Sequence, residues 1–325
     1  MPAHTLPERA ARAALAAHFA PGQLADELVQ YSPAEVWDRR VRSDASGRLA
    51  LYRPHGELAQ AELTCPFIIP SDEEWPTALA DLGPAGPLGL WVRGRARLPQ
   101  LADSAVAVTG NRVPTEQSLT RTHAFATALA EADHTVTATL AVLPRGLDGA
   151  HPHAHAPLLS SILDNGGAAV SLHRPGTPAS GMTLNTSAVL LAALTRALIL
   201  VEALDHVEAL YAAEAAVDLH RPLLAAPATG DVRSSGNARL LDAQLAVNSP
   251  DPLLALALPH AHVARASDIA DGDLLLAAVG EQGADYFSEP YTAHPEPFNP
   301  SCGCGVCDLV IGPGEVVGRG LSTSR

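Results

Sequence analysis

Between residues 104 and 227 short, wholly apolar stretches alternate with longer amphipathic ones, and that alternation leaves few folds open. The clearest unit is Ala197-Leu-Ile-Leu-Val-Glu202, an apolar run closed by an acid, flanked by helical patterns at residues 185–196 and 205–219. Similar strands are read at 105–109, within 135–143, at 167–172 and at 223–227, with helices at 116–132 and 154–164. A strand that is apolar on both faces is buried on both, so a sheet of such strands needs helices on each side. The fold class that follows is α/β, a Rossmann-like parallel sheet with helices on both faces.

The flanks differ from this middle. Residues 1–62 read as a small helical appendage, with an Ala/Leu face over 8–19, a break at Pro21-Gly22, and helical stretches at 24–29 and 34–41. Residues 63–250 carry the α/β domain, entered through a Pro- and Gly-punctuated connector and the strand-like Leu88-Gly-Leu-Trp-Val-Arg-Gly94. Trp75 and Trp91 are expected to be buried anchors. Residues 251–325 read as an irregular tail in which no winged helix is recognisable.

Charge and cysteine usage narrow the function. The formal net charge is −14, so any nucleic-acid site must be a local one, since such binding draws on Lys and Arg neutralising phosphates. No apolar run reaches the length of a bilayer crossing, and the N-terminus lacks the basic-then-apolar order of a leader, so no membrane is expected and the location is expected to be cytoplasmic. Four cysteines in 325 residues make no disulfide framework. No Ser/His/Asp order with a nucleophile elbow is present, and Asp72-Glu73-Glu74 reads as a solvated turn, so neither a catalytic residue nor an enzyme activity nor a cofactor is expected.

One turn carries chemistry. Val106-Ala-Val-Thr-Gly110-Asn111-Arg112 is a strand ending in a glycine, followed by Val113-Pro114-Thr115 and a helix. Gly110 permits close backbone approach, Arg112 can grip a phosphate with two donors, and the helix start adds free N–H groups. Such a turn recurs in many α/β proteins, and its neighbours make it specific. Before it stand Phe67-Ile-Ile-Pro-Ser-Asp-Glu-Glu-Trp75-Pro-Thr-Ala-Leu-Ala-Asp-Leu82 and Pro87-Leu-Gly-Leu-Trp-Val-Arg-Gly94. After it come Ala141-Val-Leu-Pro-Arg-Gly-Leu-Asp148, Gly166-Gly-Ala-Ala-Val-Ser171 with Arg174-Pro-Gly-Thr-Pro178, and Ala192-Ala-Leu-Thr-Arg-Ala-Leu-Ile-Leu-Val-Glu-Ala203. Arg221-Pro-Leu-Leu-Ala-Ala-Pro227 and Ser234-Ser-Gly-Asn-Ala-Arg-Leu-Leu241 close the series.

In that order these segments resemble the DNA-processing protein A (DprA, or Smf) family, over most of residues 67–250. The resemblance implies a cytoplasmic, homodimeric, non-enzymatic protein that binds single-stranded DNA and passes it to a RecA-like recombinase in natural transformation. By position it implies a phosphate- and DNA-binding set of Gly110, Asn111, Arg112, Thr115, Gly146, Asp148, Gly176 and Glu202, with Asn111 where the family has Ser in its Gly-Ser-Arg loop.

The departures are as informative. Between Val136 and Leu143 the family has a strand, the motif Ser-Gly-Leu-Ala-x-Gly-Ile-Asp-x-x-Ala-His, a helix and a second strand, where this chain runs straight through. One βα unit is therefore expected to be absent, leaving a sheet one strand narrower. Thr183-Leu184 and Ser187-Ala188-Val189 stand where the family has Arg-Phe and Arg-Asn-Arg, and Glu208 where it has a phosphate-accepting turn. Two further readings follow, a nucleotide-derived ligand-binding Rossmann module and a degenerate paralogue acting through protein contacts alone. His151, His153 and His155 read as surface-loop histidines, and Cys302, Cys304 and Cys307 as a reduced cysteine-rich tail with weak metal-site spacing.

Overall fold

The computed structural model describes residues 6–111, 113–132, 139–205, 207–257, 262–265 and 316–319. Helices α1 (Glu8–His18), α2 (Ala25–Gln30), α3 (Pro33–Ser43), α4 (Arg48–Leu51) and α5 (Pro54–Glu62) lead into strands β1 (Phe67–Ile68) and β2 (Leu90–Gly94). Then come α6 (Leu98–Ser104), β3 (Val106–Gly110), α7 (Glu116–Ala132), β4 (Leu140–Val142), α8 (Ala156–Asp164), β5 (Ala168–Ser171) and α9 (Gly181–Ala193). The described chain continues through β6 (Ala197–Glu202), α10 (Glu208–Asp218), β7 (Leu223–Ala225), α11 (Ser235–Asp242), β8 (Val247–Asn248), α12 (Leu254–Ala257), β9 (His262–Arg265) and β10 (Val316–Arg319). The contacts group residues 1–102 with 136–190 as one compact unit, and 103–135 with 191–325 as a second.

In the first unit local rules set the helices. Ser32 accepts from the Glu35 amide while Glu35 accepts from the Ser32 amide, and Pro33 occupies the first turn, so α3 starts on a capping box. Trp37 on α3 packs with Leu15 and Leu24, the second of these at the start of α2. The sheet order is β1-β2-β5-β4, with β2 antiparallel to both its neighbours and β4 parallel to β5. Ala10, Ala13, Leu58 and Ala61 share one buried cluster with Phe67, Trp91, Leu159 and Ala169, so α1, α5 and α8 cover one face of this sheet. Trp91 is the buried anchor expected, whereas Trp75 is half-buried.

Asp72 departs from the solvated turn expected of it. It takes both terminal nitrogens of Arg9, at 2.7 and 2.8 Å, and the Ile69 amide at 2.8 Å. Burial works against its charge, but these donors outweigh it and hold the carboxyl below its usual range.

In the second unit β3, β6, β7 and β8 pair in that order, all parallel. Every residue of β6 is buried, as an apolar central strand requires. Ala197, Ile199 and Val201 face Phe125 of α7 and Ala255 of α12. The alternate residues Leu198 and Leu200 point to the opposite face, where α10 and α11 pack. Helices therefore cover both faces of this parallel sheet, and the α/β class stands, with a parallel sheet in this unit and a mixed one in the first.

The strands divide over two sheets, where the sequence suggested one narrower sheet. Among the described residues, strand β3 ends one sheet and β4 ends the other, each with a hydrogen-bonded neighbour on one side. Residues 133–138, which reach into the Val136–Leu143 stretch where a βα unit was expected to be absent, lie outside the described residues. Most of the tail does as well, except that β9 and β10 pair antiparallel within it. Among the described residues no helix is long and apolar enough to cross a membrane.

Candidate nucleic-acid interface

The turn after β3 is held by a carboxylate from the neighbouring strand. Gly110 pairs with Glu202 at a register shift, and a Cβ on it would meet the Glu202 carbonyl oxygen at 3.1 Å. The Asn111 amide N–H then donates to that carbonyl at 2.7 Å, which extends the ladder by one residue. Proline at 114 stops the extended chain from continuing into the helix unbroken, and Thr115 caps α7 by accepting from the Ser118 amide at 3.1 Å.

Glu202 is 4% exposed, and burying a carboxylate without partners is costly. Here it has several. Its Oε1 accepts from the Asn111 side-chain amide at 2.7 Å and from the Thr115 amide at 3.3 Å. Its Oε2 takes the Thr115 hydroxyl. A carboxylate at the start of a helix is also favoured by the helix dipole. One N–H that a Rossmann turn would offer to a phosphate, that of Thr115, is thus taken by the chain's own acid.

Asn111 spans three segments at once. Its Oδ1 accepts from the Leu204 amide at 2.8 Å, and its Nδ2 reaches both Glu202 and the Arg233 carbonyl, the latter at 2.9 Å. A serine hydroxyl, with one proton and a shorter reach, could not bridge all of these. Nearby, Asn237 is fully buried: its oxygen accepts from Ala203 N at 2.8 Å, and its amide donates to the Leu200 and Ala226 carbonyls at 3.2 and 3.1 Å. Asn237 had no role in the sequence reading, although it stood inside a quoted family segment. The signal available was an asparagine directly after a glycine in the first turn of a helix.

Gly146, Asp148 and Gly176 belong to the first unit and form a second, separate cluster. The Gly146 amide donates to the Thr177 carbonyl at 3.0 Å, and a Cβ at Gly146 would lie 2.3 Å from the Arg174 carbonyl oxygen. Asp148 accepts from the Gly176 amide at 2.8 Å and from Arg145 at 3.3 Å. Gly176 has φ of +90°, which favours glycine. These three residues fasten the 145–150 turn to the 173–177 turn.

Within α9, at two of the positions where the family has basic residues, Thr183 and Ser187 are buried. Thr183 caps the helix through Ser180, whose amide donates to the Thr183 hydroxyl at 2.8 Å, and the Ser187 hydroxyl donates to the Leu143 carbonyl at 3.2 Å. Several arginines are also paired within the chain: Arg174 with Glu57, Arg233 with Asp231, and Arg239 with Asp205 and Glu214. His153 and His155 are exposed and His151 is half-buried, as a surface loop requires. Arg112 lies outside the described residues, as do Cys302, Cys304 and Cys307. Among the described residues no group of three or more His, Cys, Asp or Glu is arranged to hold a metal.

Comparison with known proteins follows the same outline. The sequence profile of the family described as DNA recombination-mediator protein A matches residues 66–138 and 134–253. The two matched segments share residues 134–138, so the match breaks at the stretch where a βα unit was expected to be absent. A protein described as putative DNA processing protein DprA, from Mycobacterium tuberculosis strains CDC 1551 / Oshkosh and ATCC 25618 / H37Rv, is 32% identical over 247 residues. That alignment covers 67% of this chain and 60% of the relatives, so the chain spans less than two thirds of their length. In fold the chain is similar to DNA processing protein A from Streptococcus pneumoniae, with a TM-score of 0.54 and 22% identity, covering 77% of this chain and 93% of that one. A turn built as Gly110-Asn111 on a buried acid, the ordered segments around it and the profile match over more than half of the sequence agree: the chain belongs to the DNA recombination-mediator protein A family.

Proposed function

We propose that this protein binds single-stranded DNA in DNA uptake and recombination, through phosphate contacts at the 110–115 loop, and passes it to a RecA-like recombinase. The observation that carries the reading is the loop itself, a glycine turn at the C-terminal end of a parallel strand, followed by a helix, in a chain of this family. The crevice beyond strand C-termini is where open α/β sheets take ligands. The role asks no chemistry of the chain, in keeping with a non-enzymatic family, and it suits a cytoplasmic homodimer.

The internal pairing of the arginines, together with the charge of −14, favours a second reading, a paralogue that keeps the fold and acts through protein contacts. Glu202 holds the Thr115 amide, so a nucleotide phosphate and a DNA phosphate alike would have to be met by other groups of the loop. Fluorescence anisotropy with a labelled oligo-dT at low and physiological salt tests the first reading. Binding at low salt that is lost in Arg112→Ala supports it, and no binding at low salt sinks it in favour of the second.

A further inference from the structure

Arg233 is a cation whose main chain is built into the Asn111 turn. Its carbonyl accepts from the Asn111 side chain at 2.9 Å, across 122 residues of sequence. Its own segment is stitched from within. The Arg233 amide donates to Asp231 at 2.9 Å, the Ser234 hydroxyl donates to the Asp231 carbonyl at 2.9 Å, and the Thr229 amide donates to Ser234 at 3.2 Å. A guanidinium projecting from so fixed a backbone loses less freedom on binding than one on a loose loop.

The side chain is 46% exposed and lies against the Asp231 carboxylate, Nη2 to Oδ2 at 2.9 Å and Nε to Oδ1 at 3.3 Å. Two parallel donors on two oxygens is also how a guanidinium grips a phosphate. An exposed pair between near neighbours is weak, because water and salt screen it, so a better anion can replace the carboxylate. The Asp231 carboxylate, and at longer range that of Glu202, favour the charged form of Arg233.

We propose that Arg233 is a second phosphate contact beside the 110–115 loop, and that Asp231 is an internal anion which the DNA backbone displaces. This rests on the reading of that loop as a phosphate-binding site. Arg233 was absent from the set implied by the family resemblance, and it is recognised here through the Asn111 contact.

The test is oligo-dT anisotropy over a salt series with the full chain, comparing wild type, Arg112→Ala, Arg233→Ala and Asp231→Asn, each checked by thermal melting. Because Asn111 holds the carbonyl of Arg233, alanine leaves that tie in place; Arg233→Gln is the substitute if alanine costs the fold. Arg233→Ala is expected to weaken binding about tenfold and to lower the slope of log K against log salt by about 0.7. A residue with a merely structural role would not change that slope. Asp231→Asn, which keeps a cap for the Arg233 amide, is expected to tighten binding. An unchanged affinity in either variant, while Arg112→Ala still abolishes binding, overturns the proposal and leaves the loop reading standing. Absence of binding by both wild type and Asp231→Asn at low salt removes both.

Discussion

The side-chain amide of Asn111 donates to the carboxylate of Glu202 at 2.7 Å, and this contact ties the turn after β3 to the end of β6. Replacing Asn111 by Asp sets two carboxylates against each other and removes a donor from a buried acid. Asn111→Asp is expected to lower stability by about 2–4 kcal/mol, since a hydrogen bond to a charged group contributes about 1.5–3 and repulsion adds to its loss. Asn111→Ser, which keeps one donor, should cost less. Urea unfolding followed by circular dichroism measures both, and equal stability of Asp and Asn variants would refute the account.

Asn237 joins β6, β7 and the chain after Glu202 through one side chain. Asn237→Ala strands a buried N–H and two carbonyls, each costing about 1–3 kcal/mol when unsatisfied, so a loss of about 3–5 kcal/mol is expected. A drop below 1 kcal/mol in the same unfolding measurement would show that water replaces the amide.

Gly146 and Gly176 are required for different reasons, and substitution separates them. Gly146→Ala meets the Arg174 carbonyl at 2.3 Å, so the 145–150 and 173–177 turns must part. Gly176→Ala meets no atom within 4 Å and bears the left-handed backbone alone, a cost of about 1–2 kcal/mol. The expected order of melting temperature is wild type, then Gly176→Ala, then Gly146→Ala.

Stability should fall on mild acidification. Burial pushes the imidazoles of His173 and His220 below their ordinary range, and burial followed by the Arg174 charge does the same to His18. As pH drops through about 6.5 the unfolded chain takes up protons that the folded chain refuses, so the folded state loses ground until the lowered values are passed. Melting temperatures measured from pH 7.5 to 5.5 should decline, and His220→Asn should flatten part of the decline. Asn accepts the φ of 53° at this position more readily than most residues. A rise in stability over that range would contradict the sign.

Salt should affect single-stranded DNA binding only mildly if the proposed contacts carry it. With Arg112 and Arg233 as the phosphate contacts, the slope of log K against log salt is expected near about −1.4, taking about 0.7 per phosphate neutralised on a single strand. A slope steeper than about −4 would mean that other cations carry the binding.

Much of the fold was legible because each signal was local. The apolar run at 197–202 announced a strand buried on both faces, and β6 is buried at every position. The helix read near 116–132 starts at Glu116, since Thr115 caps its start and Pro114 bars an earlier one. Asp72 misled, because the bidentate partner that removes it from solvent, Arg9, lies 63 residues away.

What the sequence by itself determined is the family, the α/β elements and the glycines that the tight turns require, all of which depend on neighbours along the chain. Only the tertiary structure decided what the polar residues do. Hydrogen bonds are short and directional, so whether Glu202 meets a ligand or the chain's own Asn111 and Thr115 depends on where strands 90 residues apart end. The same is true of the division into two sheets, because a strand's neighbours are set by hydrogen bonding across the fold.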